Sequence, residues 1–508
     1  MSNRRIGVFL SYILMIIEVL STLLLTPFII RSLGQAEYGV YKLASAVNAY
    51  LLLLDLGVGN ATTRYIAKYR AEKDLVQERK FMGVATLYYS GIAIITVLLG
   101  IILVGAFPKI FAVGLTQEEV MLGRTLLSIT MVNSAITLGT TGFSNALIAY
   151  EQFGTSKGAS IVHILLRMVM TYYCLKANMG SIAIVSVDLV TNIIVRSFFV
   201  WYVNFRIKLR PQFRGLKFSF IKEIATYSSL ILLQMIATQL NQSVDQILLG
   251  AVVASSSVVI GIYGVGSQIT QYFQSIGSAF KGVMMPGIVA MVSRKASDEE
   301  LCDEMIKIGR ITYMICMIIW VGFLICGKRF ISLWAGDGNG QAYYVAVILM
   351  LAYMFIQTLS VGQYVLWAKN EHKELAEIKL VIVICNILLS ILLIQWNPLL
   401  GATIGTFISL FIGDIVAMTI VFKKKIHIHV IRYYYQLMRG TTLAAILCTL
   451  VGAILNRFTP DSWGGLLLVV GAMVIVYVGI MYIYGLNSFE KELVLSVLHR
   501  NNRRKYGN

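Results

Sequence analysis

About fourteen long apolar segments alternate with short charged loops along this chain of 508 residues, and that alternation restricts the fold more than any other feature. A helix needs roughly 20 apolar residues to cross a bilayer, where the backbone must satisfy its own hydrogen bonds. The apolar runs are continuous rather than alternating residue by residue, which argues against a transmembrane β-barrel. The sequence therefore predicts an all-α polytopic membrane protein. The predicted spans are 8–30, 39–61, 83–106, 122–146, 157–175, 181–203, 225–251, 259–285, 311–327, 342–367, 378–395, 399–422, 441–456 and 464–485.

The distribution of charge predicts the orientation of the chain. If the loops are assigned alternately to the two sides, about three quarters of the 43 lysines and arginines fall on the side of both termini, which the positive-inside rule makes cytoplasmic. The net charge of +18 then mostly reflects topology and attraction to anionic lipids. Binding of nucleic acid would need these cations on one soluble domain, which the short loops cannot form, so we expect no nucleic-acid partner.

Several kinds of chemistry find no support in the sequence. The six cysteines lie in spans or on the predicted cytoplasmic side without the spacing of metal ligands, so we expect neither a disulfide nor a metal site. A phosphate-binding glycine loop for ATP hydrolysis does not occur, and we expect no cofactor. The outer loops carry too few acids, arginines and histidines for glycosyl transfer, so the chain is not predicted to be an enzyme.

The chain resembles itself at a shift of roughly 220 residues. Tyr38-Gly39-Val40 matches Tyr263-Gly264-Val265, and Gly180 matches Gly401 in the same order. The shift spans six helices, so the two copies share one membrane orientation and form parallel pseudo-repeats. We predict two six-helix lobes plus two C-terminal helices, a transporter plan with alternating access. The predicted divisions are 1–215 for the first lobe, 216–430 for the second, and 431–508 for the last two helices and a basic tail.

Three segments carry a resemblance to a known family. Leu24–Gly39, Asp55–Gly59 and Asn241–Gly250 resemble the polysaccharide-export branch of the MOP superfamily, which also contains multidrug and toxin (MATE) extruders and lipid II flippases. The resemblance covers essentially residues 5–425. It implies a flippase that moves undecaprenyl-pyrophosphate-linked oligosaccharide from the inner to the outer leaflet, during synthesis of O-antigen, capsule or exopolysaccharide. It also implies a bacterial or archaeal cytoplasmic membrane, and membrane lipids, a polysaccharide polymerase and a chain-length regulator as partners.

A polar stripe crosses the fifth span. Arg167 and His163 share one face with small polar residues at intervals of three or four, and Arg167 lies near the midplane, where a charge is costly. Arg167 either lines a cavity or pairs with an acid, for which Asp188 in the sixth span is the obvious partner. Arg196 follows on the same face of that span. We predict that Arg167 and Arg196, together with Lys281 of the eighth span, contact the anionic head of the substrate, and that His163 also contacts the substrate, with structural pairing as the alternative.

The second lobe carries an amide-rich stripe in the eighth span. Gln271 and Gln274 suit sugar hydroxyls, because an amide both donates and accepts hydrogen bonds, and the same residues suit contacts between helices. Lys281 ends the stripe and either receives the pyrophosphate as a point charge or neutralises Asp245 in the seventh span.

Glu18 in the first span and Asp55 near the inner end of the second are predicted to couple transport to an ion gradient, although both also suit structural roles. Cations and acids within the spans nearly balance, so the sequence leaves the sign of the cavity open. A cationic cavity fits an anionic lipid head, whereas an acidic cavity fits a cationic drug. The alternatives are therefore a cation-coupled multidrug extruder and, from another class, a membrane-embedded polysaccharide polymerase.

Overall fold

The computed structural model describes residues 3–55, 58–214, 219–369, 371–488 and 490–492, and these residues are almost entirely helical. The helices are α1 Asn3–Leu52, α2 Val58–Ala71, α3 Leu75–Phe111, α4 Gln117–Gly139, α5 Thr141–Ala149, α6 Phe153–Lys176, α7 Gly180–Trp201, α8 Ser219–Val252, α9 Ser257–Ser293, α10 Asp298–Ala335, α11 Ala342–Ala368, α12 His372–Ile394, α13 Pro398–Leu410, α14 Met418–Lys425, α15 Val430–Met438, α16 Thr441–Phe458 and α17 Trp463–Ile480. The π-helical turns are Tyr202–Arg206, Phe411–Ala417 and Met481–Gly485, and the 3-10 turns are Leu53–Asp55 and Asp337–Asn339.

Eleven helical stretches of the described residues are long and apolar enough to cross a membrane, which confirms the predicted class. The first stretch, Phe9–Asp55, covers two predicted spans. They are separated at Gly34, where the backbone is not helical (φ 73°, ψ 174°). Helices α8 and α9 cover the predicted seventh and eighth spans. The total of fourteen spans stays a prediction.

The chain divides into two compact units by its internal contacts. The first unit contains Met1–Val265 and Lys379–Thr406, and the second contains Gly266–Ile378 and Phe407–Asn508. This division follows contacts in space rather than the sequence repeat. The lobes predicted at 1–215 and 216–430, and the C-terminal part 431–508, remain predictions.

In the first unit, α4 packs against α1, α3 and α7, while α6 packs against α1 and α7. The ends of α2, α3, α5 and α7 on the predicted cytoplasmic side share an apolar core that includes Ile66, Phe81, Met82 and Leu147. Helix α4 begins with a capping box. The Thr116 hydroxyl accepts from the Glu119 amide, and the Glu119 carboxylate accepts from the Thr116 amide.

Three glycines of the first unit allow backbone to touch backbone on the predicted outer side. A Cβ atom at Gly39 would overlap the carbonyl oxygen of Ser257, and one at Gly261 would overlap that of Gln35. A Cβ atom at Gly114 would overlap the carbonyl oxygen of Gly250 near the end of α8, and after that helix the Ser256 amide donates to the Gly114 carbonyl at 2.7 Å. We call these three contacts the glycine contacts. Any side chain at these positions would force the segments apart.

In the second unit, α10 holds the two C-terminal helices through a buried arginine near each end. The Arg310 guanidinium pairs with Glu490 at 2.6 Å and donates to the carbonyls of Gln436, Arg439 and Gly485. The Arg329 guanidinium donates to Asn456 and Thr459 and pairs with Asp461. These contacts hold α15, α16 and the segments that flank α17 on α10, while the Nε and Nη2 atoms of Arg329 are buried and make no hydrogen bond with the described residues.

Candidate functional site

The polar stripe of α6 faces away from an exposed apolar stripe on the same helix. Val162, Val169 and Tyr173 are exposed on one side, whereas His163 and Arg167 lie roughly opposite at about 100° per residue. An apolar exposed stripe on a membrane helix suits contact with lipid. The stripe that carries Arg167 therefore points toward the interior of the protein or a water-filled space.

Arg167 pairs with Asp188 of α7, the partner that its position suggested. The Arg167 Nη1 atom lies 3.2 Å from Asp188 Oδ1, and Asn133 of α4 donates to the other carboxylate oxygen at 2.9 Å. Both charged side chains remain about one third exposed, at 37% and 33%. The pair is thus neutralised and still accessible.

Asn133 extends this network to Arg196 through Asn192. The Asn192 amide donates to Asn133 Oδ1 at 2.6 Å and to the Thr137 hydroxyl at 2.8 Å. The Arg196 Nε atom donates to Asn192 Oδ1 at 3.2 Å, and among the described residues no acid pairs with Arg196. The terminal nitrogens of its guanidinium group are left for another acceptor, which suits a phosphate. We call Arg167, Asp188, Asn133, Asn192 and Arg196 the polar cluster.

His163 lies one turn before Arg167 and is partly buried. Its Nε2 atom is buried and has no hydrogen-bond partner among the described residues. A buried ring nitrogen without a partner loses solvation, so its position is more costly than that of an apolar residue. The predicted contact of His163 with a substrate stays a prediction.

The two acids predicted for ion coupling lie in different settings. Glu18 of α1 is exposed, forms no ion pair with the described residues, and lies opposite the exposed apolar residues Phe9, Ile16 and Leu20. Its carboxylate therefore points away from the face that suits lipid. Asp55 is partly buried in the 3-10 turn after α1, within electrostatic reach of Tyr88 and Tyr89.

A third acid, Asp245 of α8, is enclosed by neutral hydrogen-bond donors, and the sequence did not single it out as a site. It is 2% exposed, and Tyr263 and Thr406 each donate to Oδ2 at 2.5 Å. Ser390 donates to Oδ1 at 3.3 Å, and Asn386 lies next to Ser390 and Thr406. All these partners are neutral, so the cluster can hold a proton or a small cation near the carboxylate.

The expectation that Lys281 neutralises Asp245 cannot be followed, because the Lys281 side chain lies outside the described residues. Gln271 and Gln274 belong to the second unit. Gln271 is exposed and accepts a hydrogen bond from Gln268 at 3.4 Å, whereas the carbonyl of Gln274 accepts from Gln357 at 2.9 Å. The predicted sugar contacts of both glutamines stay predictions.

No group of three or more His, Cys, Asp or Glu side chains arranged for a metal ion occurs in the described ranges.

The sequence pattern identified the stripe of α6 and its pairing with α7. It missed Asn133, although Thr130, Asn133 and Thr137 follow spacings of three and four along α4. It also missed the Asp245 cluster, whose residues come from four distant segments. The local signs of that cluster are two spacings of four, between Asn241 and Asp245 and between Asn386 and Ser390.

A family model described as "Polysaccharide biosynthesis protein" matches residues 6–292. A solved structure of the lipid II flippase MurJ in an inward closed conformation has a TM-score of 0.71 and 15% sequence identity, covering 96% of this chain and 99% of that chain. An inward-facing multidrug resistance MATE family transporter of the MOP superfamily has a TM-score of 0.62 and 14% identity, covering 80% and 96%. The MATE multidrug transporter DinF-BH has a TM-score of 0.58 and 14% identity, covering 83% and 94%. A comparison with curated proteins found no match.

Proposed function

The chain belongs to the polysaccharide biosynthesis protein family, and from this premise we propose that it is a flippase for lipid-linked oligosaccharides. It moves undecaprenyl-pyrophosphate-linked repeat units across the cytoplasmic membrane of a bacterium or archaeon by alternating access, for O-antigen, capsule or exopolysaccharide synthesis. Both termini are cytoplasmic in this proposal. A polysaccharide polymerase and a chain-length regulator are the proposed partners.

The surplus of cations in the polar cluster carries this proposal. Asp188 neutralises Arg167, while among the described residues Arg196 is held only by the neutral amide of Asn192. The cluster thus has a net positive charge on the interior side of a membrane bundle. The sequence left the sign of the cavity charge open. The positive charge of the polar cluster favours an anionic lipid head over a cationic drug. Arg196 presents a planar set of donors suited to the oxygens of a pyrophosphate.

The test is leaflet translocation of a fluorescent polyprenyl-pyrophosphate oligosaccharide in proteoliposomes. We expect protein-dependent movement that falls about tenfold to a hundredfold in Arg196→Ala, because a hydrogen bond to a charged group contributes about 1.5–3 kcal/mol. Arg167→Ala should reduce movement as well. Arg124→Ala is the matched control, since Arg124 is exposed at the predicted outer end of α4.

The same vesicles test the rival function. Gradient-driven efflux of cationic dyes, with no movement of any lipid-linked oligosaccharide, would make the protein a multidrug extruder instead. In cells, a change in polysaccharide chain length, rather than loss of outer-leaflet repeat units, would favour a polymerase.

An ion gradient is the proposed energy source, with Glu18 and Asp55 as coupling acids. The Asp245 cluster supports adding Asp245 to them, because a buried carboxylate surrounded by neutral hydroxyls costs much less free energy once a proton or cation has bound. Asp245→Asn should make translocation insensitive to a pH or sodium gradient. Translocation that still responds to the gradient in this variant would remove Asp245 from the coupling mechanism.

A further inference from the structure

The segment that follows α7 is fixed on the surface of the first unit. Leu209 is 2% exposed and belongs to the apolar core beneath it. The Gln212 amide donates to the Arg79 carbonyl at 3.0 Å, and the Gln212 carbonyl lies directly over Gly83, where a Cβ atom would overlap it. The backbone of 207–214 is therefore held against the start of α3.

This attachment turns four cations outward. Residues 206, 208 and 210 alternate with the partly or fully buried 207 and 209, and Arg214 follows near the end of the described segment. We call Arg206, Lys208, Arg210 and Arg214 the cationic edge. All four are exposed, and no acidic side chain among the described residues pairs with any of them. Acids of the turn before α3 are engaged elsewhere: Asp74 caps Gln77, and Glu72 pairs with Lys68.

Large aromatic side chains accompany these cations. Trp201, Phe205 and Phe213 are exposed, and the Arg210 guanidinium lies 5.5 Å from the Phe205 ring centre. Exposed aromatic residues at the end of a membrane helix mark the level of the lipid head groups. The cationic edge therefore lies at the height of the membrane surface, on the side that the charge distribution predicts to be cytoplasmic.

Several basic residues of the second unit on the same predicted side are paired with acids, although the exposed Lys423, Lys424 and Arg439 form no ion pair with the described residues. Lys369 pairs with Asp298, Lys425 pairs with Glu371 and Glu374, and Arg432 pairs with Asp303. These charges are balanced by the protein itself. None of the described acids neutralises the cationic edge of the first unit, which is therefore available to an external anion.

We propose that the cationic edge binds the head groups of anionic phospholipids in the cytoplasmic leaflet and anchors that end of the first unit to the membrane surface. The exposed aromatic rings fit the adjoining acyl region, and the fixed backbone presents the cations without a further ordering cost for the main chain. This interaction is separate from recognition of the transported lipid, and it rests on the predicted orientation rather than on the proposed function.

The test compares lipid binding by the full-length protein in detergent, measured by native mass spectrometry with short-chain phosphatidylglycerol or phosphatidylcholine. Removing one cation near a membrane surface should weaken binding of the anionic lipid about fivefold. The variant Arg206→Gln/Lys208→Gln/Arg210→Gln should thus lose about a hundredfold in affinity for phosphatidylglycerol, by the same additive reasoning. Phosphatidylcholine should bind both proteins weakly and equally.

The matched control is Lys109→Gln/Arg124→Gln/Lys176→Gln, which removes three exposed cations from the predicted outer side. It should bind phosphatidylglycerol like the unaltered protein. Because the changed residues are exposed, we expect the melting temperature to stay the same, and the conservative variant Arg206→Lys/Arg210→Lys should retain binding. Equal affinity in the triple variant and the unaltered protein would overturn the proposal. A selective loss of undecaprenyl phosphate, with phosphatidylglycerol unaffected, would overturn it too and make the cationic edge a loading site for the substrate.

Discussion

Arg167 and Arg196 of the polar cluster differ in their surroundings, because Asp188 pairs with Arg167 and not with Arg196. Its carboxylate offsets the charge of Arg167 and competes with any anion that approaches. We predict that Asp188→Asn strengthens binding of a pyrophosphate lipid by up to about fivefold, since a partly exposed ion pair contributes up to about 1 kcal/mol. The measurement is the dissociation constant of a short-chain polyprenyl pyrophosphate. Weaker binding in Asp188→Asn would mean that the acid, rather than the arginines, contacts the ligand.

Gly180 shows how one residue sets the start of a membrane helix. Its backbone is left-handed (φ 69°), and it places the Ser181 amide 2.6 Å from the Glu37 carboxylate. We predict that Gly180→Ala destabilises the protein by about 1 kcal/mol or more, because an L-residue is strained there and its Cβ would lie 3.0 Å from Glu37 Oε1.

Thermal unfolding in detergent measures this effect, and Gly91→Ala is its control. Gly91 lies inside α3 with nothing near the position of a Cβ atom. Alanine is favoured over glycine in a helix interior by about 0.8–1.0 kcal/mol, so this variant should be neutral or more stable. A Gly180→Ala protein as stable as Gly91→Ala would show that the left-handed turn is not required.

At the scale of elements, Arg310 fixes α15 and the end of α17 on α10. We predict that Arg310→Met destabilises the protein by about 3–5 kcal/mol, because it leaves the buried Glu490 carboxylate without a cation. Hydrogen exchange should rise throughout α16 and α17 while α3 and α4 stay protected. The exposed Arg457 supplies the control Arg457→Met. If exchange rises equally in both units, the C-terminal helices are not a separate cooperative element.

The elements also show what the sequence can predict. Apolar length and helical period located the spans and the stripe of α6, because both signals lie within one segment. The partner Asp188 followed, since α6 and α7 are consecutive. The Asp245 cluster did not follow, because Tyr263, Ser390 and Thr406 approach Asp245 only through tertiary packing. The periodicity within one helix does not show which faces of helices far apart in the sequence pack against each other.

At the scale of the whole molecule, the fold of the MOP exporters is confirmed, whereas the predicted lobes are not tested. The predicted repeat is a similarity between segments of the sequence, whereas compact units depend on which segments touch. Ser256 and Ser257, after α8, contact the turns around Gly114 and Gly39 within the first unit. The repeat in the sequence does not reveal these glycine contacts, because each depends on the absence of a side chain at a particular meeting point.

The glycine contacts lead to a prediction about access from outside. Leucine at Gly39 cannot fit beside the Ser257 carbonyl, so Gly39→Leu should keep these segments apart. A cysteine at Gln35 should then react at least several-fold faster with a membrane-impermeant maleimide in intact cells, and translocation should fall. Gly105→Leu is the control, because nothing lies near that glycine. Unchanged labelling in Gly39→Leu would show that the contacts do not limit access from outside.

The buried arginines of α10 link two parts of the chain in evolution as well as in space. Arg310 and Arg329 find their hydrogen-bond partners on residues 436–490, so a chain without the last two helices would leave both guanidinium groups without these partners. We therefore expect the C-terminal helices and these arginines to occur together. Family members that end after the twelfth span should have apolar residues at both positions, which makes these two sites a marker of chain architecture.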